Sequence, residues 1–148
     1  MSFQEKRSLS SFISTVLGFT IYYLYVYQLY IERTMDLSEE IKFWAAVFLI
    51  LVPVMIVFKI IIHIIFVIII KIRRDEDYTE LEDEFDKIIE LKSERISQIV
   101  FMLGLFFSMG VIVLDYSVTV MFNMIIFSGM IGGSIADLVQ IYFYRRGV

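Results

Sequence analysis

The run from Phe43 to Ile70 is almost wholly aliphatic, yet Pro53, Lys59 and His63 lie inside it. At about 1.5 Å per residue it spans roughly 42 Å, more than the ~30 Å hydrocarbon core of a bilayer. A helix built from it must tilt, kink or protrude. Pro53 removes one backbone hydrogen bond and frees the carbonyl of Leu49, which predicts a kink in the half nearer Phe43. No other stretch is as costly to place, and few folds besides a membrane bundle accommodate it.

Three further apolar runs, over about 9–30, 96–114 and 118–142, are also of spanning length. They explain a chain of 148 residues that is 59% hydrophobic, where soluble domains hold roughly 45–50%. Mean hydropathy is +0.78. The expected fold is all-α: one membrane domain over 1–148, a bundle of four transmembrane helices. A cytoplasmic loop over 71–95 is expected to carry an amphipathic helix ahead of helix 3. The first run has a basic start in Lys6 and Arg7, but it is too long for a cleavable signal and lacks a small-x-small site. It is expected to stay as a membrane helix.

The first run ends in tyrosines, at 22, 23, 25, 27 and 30, which read as an interfacial belt. An acidic loop follows, in which Asp36 or Ser38 is placed to cap the second helix. Trp44 stands where an interface anchor belongs.

The segment 71–95 is the largest polar part. Lys71, Arg73 and Arg74 precede a stretch from Asp75 to Asp86 that holds eight acids and no base, and Lys87, Lys92 and Arg95 follow it. From about Tyr78 the pattern turns helical: Leu81, Phe85, Ile88 and Ile89 recur at three- and four-residue spacing, and Ile96 extends the stripe. Asp83 and Lys87 form a correctly oriented acid–base pair four residues apart. Such a helix lies along the membrane or runs directly into helix 3.

Lysine and arginine set the orientation. Lys6, Arg7, Arg145, Arg146 and the six bases of 71–95 fall on one side, against only Arg33 and Lys42 on the other. Both termini and the long loop are therefore expected in the cytoplasm.

Lys59 and His63 are four apart and share a helix face. A lysine at a helix centre costs roughly 2.5–3.5 kcal/mol on insertion scales, so it needs a partner or a cavity. Lys59 lies about 16 residues into its helix and Asp137 about 19 into the fourth, which puts them at similar depth. Lys59, His63 and Asp137 are predicted to approach one another in the inner leaflet, with Ser134 and Gln140 completing a buried polar site. An ion pair that fixes helix packing accounts for it, with Lys59 snorkelling towards the cytoplasm; proton or ion handling and a headgroup or small-ligand site are the alternatives.

Gly104 and Ser108 make a small-xxx-small pair in helix 3. Helix 4 has two such rows: Ser128, Gly132 and Ala136, and Gly129, Gly133 and Asp137. Small residues four apart let helices approach closely in lipid, within the chain or across a homodimer seam.

Other classes are disfavoured. Cysteine is absent and histidine single, so thiolate and multi-histidine metal sites are excluded within one chain. The acidic series lacks calcium-loop spacing. No phosphate loop or nucleophile–base motif is present, so neither a cofactor nor an enzyme is expected. A net charge of −4 with no basic patch argues against nucleic acid.

Several stretches carry a resemblance. MSFQEKRS, FKIIIHIIF, DEFDKIIELKSERIS, VMFNMIIFSGMI and IYFYRRGV, in this order and spacing, resemble a family of small four-helix bacterial membrane proteins known as a domain of unknown function. Its hallmark is a D-E-R-D-K run followed by I-E-L-K, matched here by Asp83, Glu84, Asp86, Lys87, Glu90 and Lys92; Phe85 stands where the family usually has arginine. The resemblance spans nearly the whole chain and implies a bacterial inner membrane; it supplies no activity. Two functional expectations follow. One is a non-enzymatic protein that binds a second copy or another membrane or cytoplasmic protein, through Tyr78–Arg95 or the small face of helix 4. The other is a small transporter or ion-conducting oligomer using Lys59, His63 and Asp137.

Overall fold

The structure is a computed structural model that describes residues 3–72 and 84–146. The described residues form four helices: α1 (Phe3–Ile31), α2 (Leu37–Ile72), α3 (Glu84–Val113) and α4 (Val118–Arg146). Each is long and apolar enough to cross a membrane. Their outward faces stay apolar and open, as at Ile68 of α2 and Phe106 of α3. Lipid solvates such faces, and water would not. The chain is a four-helix integral membrane bundle.

Every helix outruns its apolar run, for local reasons. α1 begins at Phe3 and takes in the polar residues ahead of Leu9. α2 begins at Leu37 because Asp36 caps it: Asp36 Oδ1 accepts from the Glu39 N–H at 2.7 Å, and Glu39 Oε2 accepts from the Asp36 N–H at 3.4 Å. This is a reciprocal capping box, and it singles out Asp36 over Ser38. α2 continues as helix through Pro53. α3 passes without a break from Glu84 through Ile96 to Val113, so its amphipathic and apolar parts are one helix. Leu81, Tyr78, Asp83 and most of the acidic series lie outside the described residues, as does the Asp83–Lys87 pair.

A tight turn joins α3 to α4. Asp115 has φ 60°, its N–H donates to Ile112 O, and the Tyr116 N–H donates to Val111 O. These two bonds and a left-handed residue make a Schellman end.

The helices run antiparallel in sequence. One end of the bundle, here called proximal, gathers the start of α1, the end of α2, the start of α3 and the end of α4. The distal end carries the two short connections. Rungs between α1 and α4 fix their register: Glu5–Arg145 at 3.8 Å, Ser8–Gln140 at 2.9 Å, and Tyr23–Asn123 at 2.6 Å. α4 is central. It packs on all three other helices, whereas α3 packs on α4 alone among the described residues.

Packing differs along the bundle. In the distal half, Phe19, Val26, Trp44, Val47, Leu51 and Ile126 form the buried core of α1, α2 and α4. Trp44 is 1% exposed. It is therefore a core residue rather than an interface anchor, with its indole N–H donating to Thr119 Oγ1 at 2.8 Å. Thr119 also bonds Glu40, and Tyr30 bonds Glu40 at 3.1 Å. Tyr22 donates to the Val47 carbonyl at 2.7 Å. Tyr22, Tyr23 and Tyr30 thus join helices, and only Tyr25 and Tyr27 stand exposed as belt residues.

The α3–α4 seam uses small residues instead. A Cβ on Gly104 would lie 2.1 Å from Ser128 Cβ, and one on Gly132 would lie 3.0 Å from the Ser97 carbonyl. Ser108 is fully buried. The row Gly104, Ser108, Ser128 and Gly132 is used inside the chain. Gly133 turns towards Thr15 of α1, while Gly129 is exposed beside Phe101.

Candidate functional site

The distal half has an aromatic core with an open cavity at its end, lined by Glu32, Arg33, Glu39 and Lys42 among others; Lys59, His63, Asp137 and Gln140, singled out in the sequence, line cavities of the proximal half. One, a vestibule of about 270 Å³, draws lining residues from all four helices. α1 brings Arg7, Ser8 and Ser11; α2 brings Lys59; α3 brings Asp86, Glu90 and Glu94; α4 brings Ala136, Asp137, Gln140 and Tyr144. Four carboxylates thus face two fixed cations, so the vestibule is net acidic.

The geometry follows from helical spacing. Asp86, Glu90 and Glu94 are four apart and line one stripe of α3. Gly133, Ala136, Asp137, Gln140 and Tyr144 do the same on α4. Glycine and alanine within that row leave the space that the polar groups enclose. The Tyr144 hydroxyl and the Asp86 carboxylate lie close enough to interact across the proximal ends of α3 and α4.

Asp137 is buried, 6% exposed. Its hydrogen-bond partner is on α1: Thr15 Oγ1 stands 3.5 Å from Oδ2, and Ser11 of the same helix lies beside the carboxylate. Lys59 lines the same vestibule and its charge reaches Asp137 through space. The aspartate is thus held by α1, with α2 supplying a compensating field. Gln140 lines the vestibule beside it and accepts from Ser8.

His63 does not line this vestibule. It lines a second cavity of about 320 Å³ between α1 and α2, together with Lys59. Lys59, Arg7 and Ser11 line both, and so form the wall between them. Ser134 is buried but turns to its own helix, with Oγ 3.9 Å from Met130 Sδ. Lys59, Asp137 and Gln140 therefore line one cavity, and His63 and Ser134 are not part of that group. Lys59 and His63 are exposed on α2, so of the expected buried site only Asp137 and Ser134 are buried. Among the described motif residues, Asp86 and Glu90 line the vestibule. Glu84, Lys87 and Lys92 are exposed, as Glu90 itself is at the vestibule rim, and Lys92 Nζ lies 5.6 Å from the centre of the Phe143 ring.

Sequence reasoning missed the whole α1 contribution: Arg7, Ser8, Ser11 and Thr15. A signal existed, because Ser8, Ser11 and Thr15 recur at three- and four-residue spacing along the first half of the helix. Among the described residues, no group of three histidine, aspartate or glutamate side chains is arranged to hold a metal. No family model, curated protein or solved structure matches this chain.

Proposed function

We propose that this chain is a non-enzymatic, partner-binding protein of the bacterial inner membrane, with both termini in the cytoplasm. The observation that carries the reading is the four-helix vestibule at the proximal end, whose acidic stripe on α3 faces Asp137. A basic side chain of a partner fits its charge and its size. Orientation rests on the bases at Lys6, Arg7, Lys71, Arg145 and Arg146 on the proximal side. The bacterial assignment rests on the resemblance of 83–92 and the flanking stretches to the four-helix family. Asp86 and Glu90 of that motif line the vestibule, which supports a role for the motif in partner contact.

The test is site-specific photocrosslinking in native membranes. A photoreactive residue at Glu90 is expected to give a discrete protein adduct, and one at lipid-facing Leu103 to give none. The adduct should disappear when Glu94→Lys reverses the charge of the stripe. Equal labelling at both positions, or an adduct insensitive to Glu94→Lys, would sink the proposal.

The burial of Asp137 supports a second reading, a small transporter or an ion-conducting oligomer. A carboxylate enclosed at this depth is the placement used for ion and proton handling. In liposomes, that reading expects a pH-driven flux that Asp137→Asn abolishes, and no flux from the unaltered protein would dispose of it.

A further inference from the structure

The second cavity differs from the vestibule in chemistry. It lies in the proximal half between α1 and α2, and its polar lining is Arg7, Ser10, Ser11, Ser14, Lys59 and His63. None of its lining residues is a carboxylate. Two fixed cations, one histidine and three hydroxyls therefore face a volume of about 320 Å³.

Ser14 marks the site independently. It is 1% exposed, and its hydroxyl has no hydrogen-bond partner. A buried hydroxyl usually finds a partner, on its own helix if nowhere else, as Thr15 does at the Ser11 carbonyl at 3.0 Å. Ser14 is a lining residue of the cavity, and its unpartnered hydroxyl, buried behind the cavity wall, has a donor to offer.

Cations and hydroxyl donors are the recognition set for a phosphate oxyanion; the groove's own lining adds no acid, and the carboxylates that share Arg7 and Lys59 lie on the vestibule side of that wall. The remaining lining is aliphatic: Ile60 and Ile64 of α2 are exposed to the bilayer side. A phosphate in the groove therefore continues onto an isoleucine face able to solvate acyl chains.

We propose that the α1–α2 groove binds a phosphate group, that of an anionic phospholipid drawn in from the proximal leaflet. Lys59 and Arg7 supply charge, Ser10 and Ser14 supply hydroxyl hydrogen bonds, and the isoleucines of α2 hold the chains. This assignment stands apart from partner binding at the vestibule. It also gives an intramembrane lysine a counter-charge beyond Asp137.

The test uses the full-length protein in mild detergent, with native mass spectrometry as readout. Dioleoylphosphatidylglycerol, dioleoylphosphatidylcholine and inorganic phosphate are the probes. The expected result is one phosphatidylglycerol retained per chain, at least tenfold over phosphatidylcholine. Lys59→Met should cut retention at least fivefold and Lys59→Arg should restore most of it. Lys42→Met, at the distal end, should change nothing. Ser14→Ala gives a readout that misfolding cannot imitate: higher thermal stability without lipid, because an unpartnered buried hydroxyl is gone, together with weaker phosphatidylglycerol retention. Displacement of the lipid by millimolar inorganic phosphate would keep the phosphate site and show that a soluble source competes for it. Equal retention of both lipids, or retention insensitive to both Lys59→Met and Ser14→Ala, would overturn the proposal.

Discussion

Gly104→Ala is the sharpest test of the α3–α4 seam. The new Cβ would stand 2.1 Å from Ser128 Cβ and 2.7 Å from Ser128 Oγ. Carbon atoms in contact sit near 3.5–4.0 Å, so the two helices must separate locally by about 1.5 Å. Helix propensity favours alanine by about 1 kcal/mol, but forced overpacking of a tight interface costs about 1–3 kcal/mol. The interface cost wins, and a net loss of about 1–2 kcal/mol is expected. Gly110 is the internal control, since a Cβ there meets nothing within 4 Å. Gly110→Ala should leave stability unchanged or raise it by up to about 1 kcal/mol. Ser128→Gly removes the obstructing atoms, so adding it to Gly104→Ala should recover most of the loss. A double-mutant cycle by reversible unfolding in mixed micelles measures all of this. Equal effects of Gly104→Ala and Gly110→Ala, or a coupling near zero with Ser128→Gly, would refute the packing described here.

Three further outcomes can be measured the same way. Trp44→Phe loses the indole donor to Thr119 and leaves space in the core where the larger ring sat, and should cost about 2–3 kcal/mol; Thr119→Val added to it should cost less than it does alone. Asp36→Ala removes the acceptor for the Glu39 N–H and should cost about 1 kcal/mol, with faster amide exchange at Glu39, whereas Asp36→Ser should retain most of the cap. Asp115→Gly relieves a left-handed residue at φ 60° and should gain about 0.5 kcal/mol, whereas Asp115→Val should lose more than that.

Much of the architecture was legible because a bilayer imposes length. Four apolar runs translate directly into four helices, and the Schellman turn at Asp115 falls where two runs nearly touch. The likeness in depth of Lys59 and Asp137 also followed from counting residues along α2 and α4, which start at the same end of the bundle and run the same way. Rotation about each helix axis was not legible in the same way. His63 shares a face with Lys59, yet that face spans two cavities, and only one holds Asp137. Trp44 was misplaced because position along the helix suggests an interface, whereas Thr119, 75 positions away, supplies the acceptor that permits burial. The α1 hydroxyls escaped notice because a serine or threonine in a membrane helix can satisfy itself on its own backbone, as Thr15 and Thr20 do. Their second role at the vestibule appears only when α4 is laid beside them.

The central place of α4 has a biosynthetic consequence. α1 emerges from the ribosome carrying Ser8, Thr15 and Tyr23, whose partners Gln140, Asp137 and Asn123 belong to the helix made after the other three. α3 likewise has only α4 to pack against among the described residues. Until α4 is inserted, α1 and α2 can pair but their polar rungs face lipid or translocon, and α3 has no seat. Assembly is thus gated by its latest step: a nascent chain halted before Val118 holds three helices in the membrane without the one that joins them. Quality control at the membrane would meet that intermediate as an exposed polar stripe on α1.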